Sequence, residues 1–200
     1  FVVPTNASDK DILIYYKAAC KDTDDMVKLI FDRLAELNIL DTTTVVMYGD
    51  HYSFYENLTY KVKGISTDNP ENAKLYNVPL IIYNDKVAKT QVDAFCNSYD
   101  IYPTVCDLFG FKYNCNLAQG FGIFTDDIKN SVLVSFQNGM YTDKMFTYDS
   151  QKIEVNDESI TDEDIAAFKK NIATFYKKQE TIEKIYNYNY FSYPHPSLTT

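Results

Sequence analysis

From Ser8 to about Asn38 the apolar residues Ile12, Tyr16, Ala19, Met26, Ile30, Leu34 and Leu37 recur at helical spacing. Ser8, with Asp11 three residues on, has the form of a capping box that would open this helix. Thr23-Asp24-Asp25 could start a second segment, so the stripe reads as one long helix or two. A turn over Asp41 to Thr44 leads into Val45-Val46-Met47-Tyr48, a short strand-like run that Gly49 ends. A second run, Val78-Pro79-Leu80-Ile81-Ile82-Tyr83, is continuously apolar, which predicts a strand buried on both faces with Pro79 at its start or on an unpaired edge. A helix feeding a buried strand is half of a βαβ unit and predicts a parallel sheet. Between the two strands a polar, aromatic loop is expected to about Gly64, and Asn69-Pro70-Glu71 is expected to open a short helical turn.

Downstream, Asp100 is placed to cap a helix that takes Pro103 in its first turn and ends before Gly110. Two β-rich runs, Ser131 to Phe136 and Lys144 to Tyr148, flank Asn138-Gly139 and predict a hairpin, with a third short strand over Lys152 to Val155. Thr161 with Asp164 caps a last helix whose apolar face is Ile165, Phe168, Ile172, Phe175, Tyr176 and Ile182. The aromatic tail from Tyr186 to Tyr193 is expected to fold back over the domain. No repeat or linker divides the chain. Residues 1–200 therefore read as a single domain, with a core over 1–156 and a C-terminal helix and aromatic tail over 157–200.

Composition narrows the partners. The net charge of -9 disfavours nucleic acid or an anionic membrane surface as the main partner and suits a bound cation. No run of about 20 apolar residues is present, so no transmembrane segment is expected here. Cys20, Cys96, Cys106 and Cys115 form no CxxC pair, which argues against structural zinc; pairing among the last three stays open. The chain starts at Phe1-Val2-Val3-Pro4 without a Met and reads as a piece of a longer protein.

The chemistry concentrates at Asp50-His51, directly after the first strand. The carboxyl ends of strands are where open α/β sheets place their ligands. A carboxylate beside an imidazole offers a hard oxygen and a borderline nitrogen to a divalent cation. The other histidine, His195, sits in the tail and reads as solvated or packed. The chain has no HExxH, GxSxG, Walker or GxGxxG pattern to suggest another active site. Two ligands are fewer than the three protein groups a catalytic metal usually takes, so the pair reads as half a site.

The surroundings of this pair resemble a known family. Leu40-Asp41-Thr42-Thr43-Thr44 followed by a strand and Gly49-Asp50-His51 is similar to the "L-x-D-N/T-T … GDH" signature of the sulfatase and alkaline-phosphatase superfamily. Tyr52 with Glu56-Asn57 fits "GDHYxxxEN", and Val78 to Tyr83 fits its "VPLIIY" strand. Asp100-Ile101-Tyr102-Pro103-Thr104 with Leu108 and Gly110 fits its "DIxPTxxxLxG" helix. Phe1 to Pro4 looks like the segment just after the family's "H-x-P-F" motif. Within the superfamily the pattern looks most like the lipoteichoic acid synthase group of phosphoglycerol transferases. The resemblance implies the C-terminal part of an alkaline-phosphatase-like αβα sandwich, α/β in class: a mainly parallel sheet with a C-terminal β-hairpin and terminal helix.

It further implies that Asp50 and His51 bind one divalent ion, Mn2+ or Mg2+, in the intact enzyme, a site expected to be vacant in residues 1–200 alone. The implied substrates are a phosphatidylglycerol-type lipid and a glycerol-phosphate polymer, handled at the cell membrane by an extracellular catalytic domain. No catalytic nucleophile is assigned in this chain; the family's threonine, its second acidic ligand and its substrate-binding His and Arg residues would lie upstream of Phe1. Residues 1–200 alone are accordingly expected to be inactive. The alternatives are a sulfatase or phosphodiesterase, a phosphoethanolamine transferase, and a catalytically dead extracellular binding module.

Overall fold

The computed structural model describes residues 6–52, 56–64, 77–134, 139–142, 144–147, 152–155 and 157–193. The expected turn at Asn69-Pro70-Glu71, the N-terminal Phe1 to Pro4 and His195 lie outside the described residues. Two compact units divide the chain, residues 1–91 and 92–200.

In the first unit the capping box forms as expected. Ser8 Oγ accepts from Asp11 N at 3.3 Å, and the Asp11 carboxylate accepts from Ser8 N at 3.1 Å. The stripe becomes one uninterrupted helix, α1 (Asp9–Glu36). The helix runs through Thr23, whose hydroxyl donates to Ala19 O, and Lys21 pairs with Asp25 on the solvent side. A 3-10 turn over Leu40–Thr42 then feeds β1 (Val45–Tyr48). In place of the expected loop, α2 (Glu56–Lys63) forms. Its signals are Leu58 and Val62 four residues apart and Gly64 in the left-handed region at φ 64°. The second strand is β2 (Leu80–Tyr83), starting just past Pro79.

The parallel-sheet expectation is overturned. β1 and β2 pair antiparallel, Val45 opposite Tyr83 and Tyr48 opposite Leu80. The long segment between them lets the chain return in either direction, so the rule linking apolar runs to parallel pairing has nothing to enforce it. Nor are the strands buried on both faces: Tyr48 and Ile81 are exposed. The stripe on α1 is likewise open, with no residue of that helix fully buried. Phe31 packs edge-on against Tyr83 at 4.8 Å and ties α1 to β2.

In the second unit α3 (Ile101–Phe109) closes on Gly110 in the left-handed conformation, φ 66°. Four short strands come next: β3 (Leu133–Val134), β4 (Met140–Tyr141), β5 (Met145–Thr147) and β6 (Glu154–Val155). They form an antiparallel meander in chain order. The expected hairpin partner of the run before Asn138-Gly139 is Lys144 to Tyr148. The strand that pairs with β3 is instead β4, and β5 and β6 extend the sheet. The last helix, α4 (Asp162–Asn187), is capped by Thr161 with Asp164 as expected. Its Phe168, Ile172 and Phe175 form one buried cluster with Val132, Met140 and Met145. The aromatic tail does not fold back: Tyr186, Tyr188, Phe191 and Tyr193 are exposed. All four cysteines are unbonded thiols, and Cys106 is buried within α3.

Candidate metal centre

Gly49 is the residue that lets the chain leave β1. A β-carbon there would stand 2.7 Å from Val78 Cβ, too close for any other residue without moving the backbone. Its N–H donates to Pro79 O at 3.1 Å and carries the strand pairing one step past Tyr48. Asn84 Nδ2 donates to Thr44 Oγ1 at 3.0 Å and fixes the other end of the pair. Asp50 and His51 therefore emerge from an anchored strand end, in line with the sequence pattern.

The two side chains meet. Asp50 Oδ1 accepts from His51 N at 2.9 Å and lies 3.7 Å from His51 Nε2. The other imidazole nitrogen, Nδ1, is 2.7 Å from Tyr52 O. A carbonyl can only accept, so Nδ1 carries a proton and Nε2 is the ring nitrogen that faces Asp50. This is the arrangement that orients metal-binding imidazoles, the outer nitrogen held by a backbone carbonyl. Two ligand atoms ~2.1 Å from one ion at tetrahedral or octahedral angles would be ~3.0–3.4 Å apart. The observed gap is a few tenths of an ångström wider. The Asp50 side chain is 86% exposed and that of His51 50%, so a small rotation closes it. The pair fits two positions of a divalent coordination shell. Among the described residues no group of three or more His, Cys, Asp or Glu side chains is placed to hold an ion.

Asp100, in the family-like helix motif, plays a different part. It stands at the N-cap position of α3 as expected, but its side chain bonds elsewhere: its carboxylate is fully buried and accepts from Asn97 N at 2.8 Å, Phe121 N at 2.8 Å and Ser131 Oγ at 2.7 Å. Burial pushes this carboxyl above its usual range, partly offset by those donors and by the charge of Lys178. Thr104 Oγ1 donates to Asp100 O and accepts from Ile123 N at 3.0 Å. Gly120 passes so close that a β-carbon there would lie 2.3 Å from the Tyr99 carbonyl. Asp100 is thus a knot tying α3 to the chain around Phe121 and Ser131.

Comparison with known proteins agrees with this reading of the motifs. The Sulfatase family model matches residues 2–111. The chain belongs to the sulfatase family. It is 30% identical over 150 residues to lipoteichoic acid synthase 2 of Bacillus subtilis (strain 168), covering 70% of this chain and 23% of that protein. It is 23% identical over 194 residues to lipoteichoic acid synthase of Staphylococcus aureus (strain USA300), covering 94% of this chain and 29% of that protein. It is also 30% identical over 122 residues to arylsulfatase K of Bos taurus, covering 57% of this chain and 20% of that protein. The chain spans about a quarter of the length of these curated relatives. No solved structure matches it significantly. No helix of the described residues is long and apolar enough to cross a membrane.

Proposed function

We propose that this chain is the C-terminal portion of the catalytic domain of a metal-dependent phosphoglycerol transferase. The reaction moves glycerol phosphate from a phosphatidylglycerol-type lipid to a growing envelope polymer at the outer face of the cell membrane. The observation that carries the reading is the Asp50–His51 pair at the end of β1, inside the sulfatase-matched segment of a chain similar to lipoteichoic acid synthases. Within this reading Asp50 supplies a charged oxygen ligand. His51 supplies Nε2, with its tautomer held by Tyr52 O. Bound Mn2+ or Mg2+ would neutralise charge developing on the phosphoryl oxygens and lower the pKa of the attacking hydroxyl. The remaining ligand and the nucleophile come from elsewhere in the parent protein, and residues 1–200 alone are inactive. The family's αβα sandwich is proposed as the complete fold. The exposed Met26, Ile30, Tyr48 and Ile81 support a larger domain that covers them.

The test is a transfer assay on the full-length parent with a phosphatidylglycerol lipid as donor. Metal-dependent transfer is expected, and Asp50→Ala should lower the rate by ~10³-fold or more, the scale of losing several kcal/mol of charge stabilisation. Unchanged transfer in Asp50→Ala refutes the reading. The similarity to arylsulfatase K supports a second reading, hydrolysis of a sulfate or phosphate ester by the same pair. An aryl sulfate substrate turned over without lipid transfer would favour it.

A further inference from the structure

Val78 stands just before β2 and is held on both sides through its neighbours' carbonyls. Lys63, the last residue of α2, donates from Nζ to Asn77 O. Gly49 N–H donates to Pro79 O at 3.1 Å. The residue is also stiff in itself. A following proline keeps Val78 in the extended region, and its β-branched side chain has few rotamers. Val78 is 39% exposed, so its bulk fills no core.

What that bulk meets is Gly49. A β-carbon on Gly49 would stand 2.7 Å from Val78 Cβ, 3.0 Å from Cγ1 and 3.3 Å from Cγ2. The backbone there does not itself ask for glycine, since its φ lies outside the left-handed region that Gly64 and Gly110 occupy. The three nearest atoms all belong to Val78, so the demand for glycine is steric and comes from that side chain. Asp50 follows directly, with its carboxylate 3.7 Å from His51 Nε2. Opening the 2.7 Å approach to ordinary contact at 3.4 Å would move the chain at residue 49 by about 0.7 Å. Metal–ligand distances hold to about ±0.2 Å, so a shift of that size beside Asp50 spoils a shared ion.

We infer that Val78 and Lys63 are positioning residues for the Asp50–His51 pair, acting through Gly49. Neither is a ligand. Val78 is a rigid stop that sets where the chain leaves β1, and Lys63 holds the stop by the carbonyl before it. The inference rests on the metal reading of the pair and adds to it what fixes the pair in place.

The experiment is a Mn2+ titration of the metal-free full-length parent, with free ion followed by electron paramagnetic resonance and folding of each variant checked by circular dichroism. Gly49→Ala should weaken Mn2+ binding about tenfold or more, the scale of losing a group that orients metal ligands. Adding Val78→Gly removes all three crowding atoms and should restore affinity to within about threefold of wild type. Adding Val78→Ala instead leaves Cβ at 2.7 Å and should not restore it. Lys63→Met should weaken binding about threefold or more, while Lys63→Arg, which still donates, should not. Lys63 is exposed, so this second pair of variants decides the matter if Gly49→Ala fails to fold. A merely structural role would leave the affinity of folded variants unchanged. Wild-type affinity in Gly49→Ala or Lys63→Met, or no recovery with Val78→Gly, overturns the inference while Asp50→Ala still loses the ion. Absence of Mn2+ binding in the wild type, or full binding in Asp50→Ala, overturns the metal reading and this inference with it.

Discussion

His51 shows how much of a proposed binding site can rest on one backbone carbonyl. Tyr52 O accepts a hydrogen bond from Nδ1 and so turns Nε2 toward Asp50. The dipeptide announces both proposed ligands, because Gly-Asp-His after a strand is a local pattern. The carbonyl is not legible, since any residue at position 52 supplies one. Gly49 reads as a strand end; its real constraint is the approach of Val78, which is distant in sequence. A second residue-scale case is Asp157. Hydrogen bonds from Ser159 and the Lys144 ammonium at 3.2 Å pull its carboxyl from 3.8 down to about 2. The folded-state value is depressed, so the stabilisation is present above about pH 4 and is lost as pH falls toward 2. Asp157→Asn should flatten the dependence of melting temperature on pH in that window, measured by circular dichroism between pH 2 and 5. An unchanged slope would show that Asp157 contributes nothing to it.

At the scale of elements, caps and core stripes are the most readable features. Ser8 with Asp11, Thr161 with Asp164 and Gly110 each terminate a helix where the pattern puts it, because these are contacts within four residues. Strand direction is not readable, because the pairing of β1 with β2 depends on how residues 49–79 return. The Asp100 knot is half readable. Its motif marks the residue, but its partners Phe121 and Ser131 lie 21 and 31 residues away. The face of α4 that forms the core of the second unit is legible at Phe168, Ile172 and Phe175. Phe168 is the most buried of these at 1% exposure. Phe168→Ala should destabilise the chain by about 3–5 kcal/mol in urea unfolding. A loss below ~1 kcal/mol would show that the cluster is not the core.

For the whole molecule, the first unit has helices and a strand pair but little that is fully buried. Its described hydrophobic residues Ile14, Met26, Leu29, Ile30 and Ile81 face solvent. A two-stranded sheet is marginal on its own, so these surfaces ask for further protein. The relatives, of which this chain spans about a quarter, are long enough to provide it. Residues 1–200 alone should therefore bind the dye ANS strongly, and the parent protein should not. Equal fluorescence from the two would mean that the apolar surface stays open.

Everything proposed for the reaction depends on Asp50 and His51 being ligands of one divalent ion. Elemental analysis of the purified full-length parent, alongside Asp50→Ala and His51→Ala, tests this most directly. About one equivalent of Mn2+ or Mg2+ is expected in the wild type. Either variant should lose most of that metal, with the circular dichroism spectrum unchanged. Full metal content in both variants would contradict the assignment.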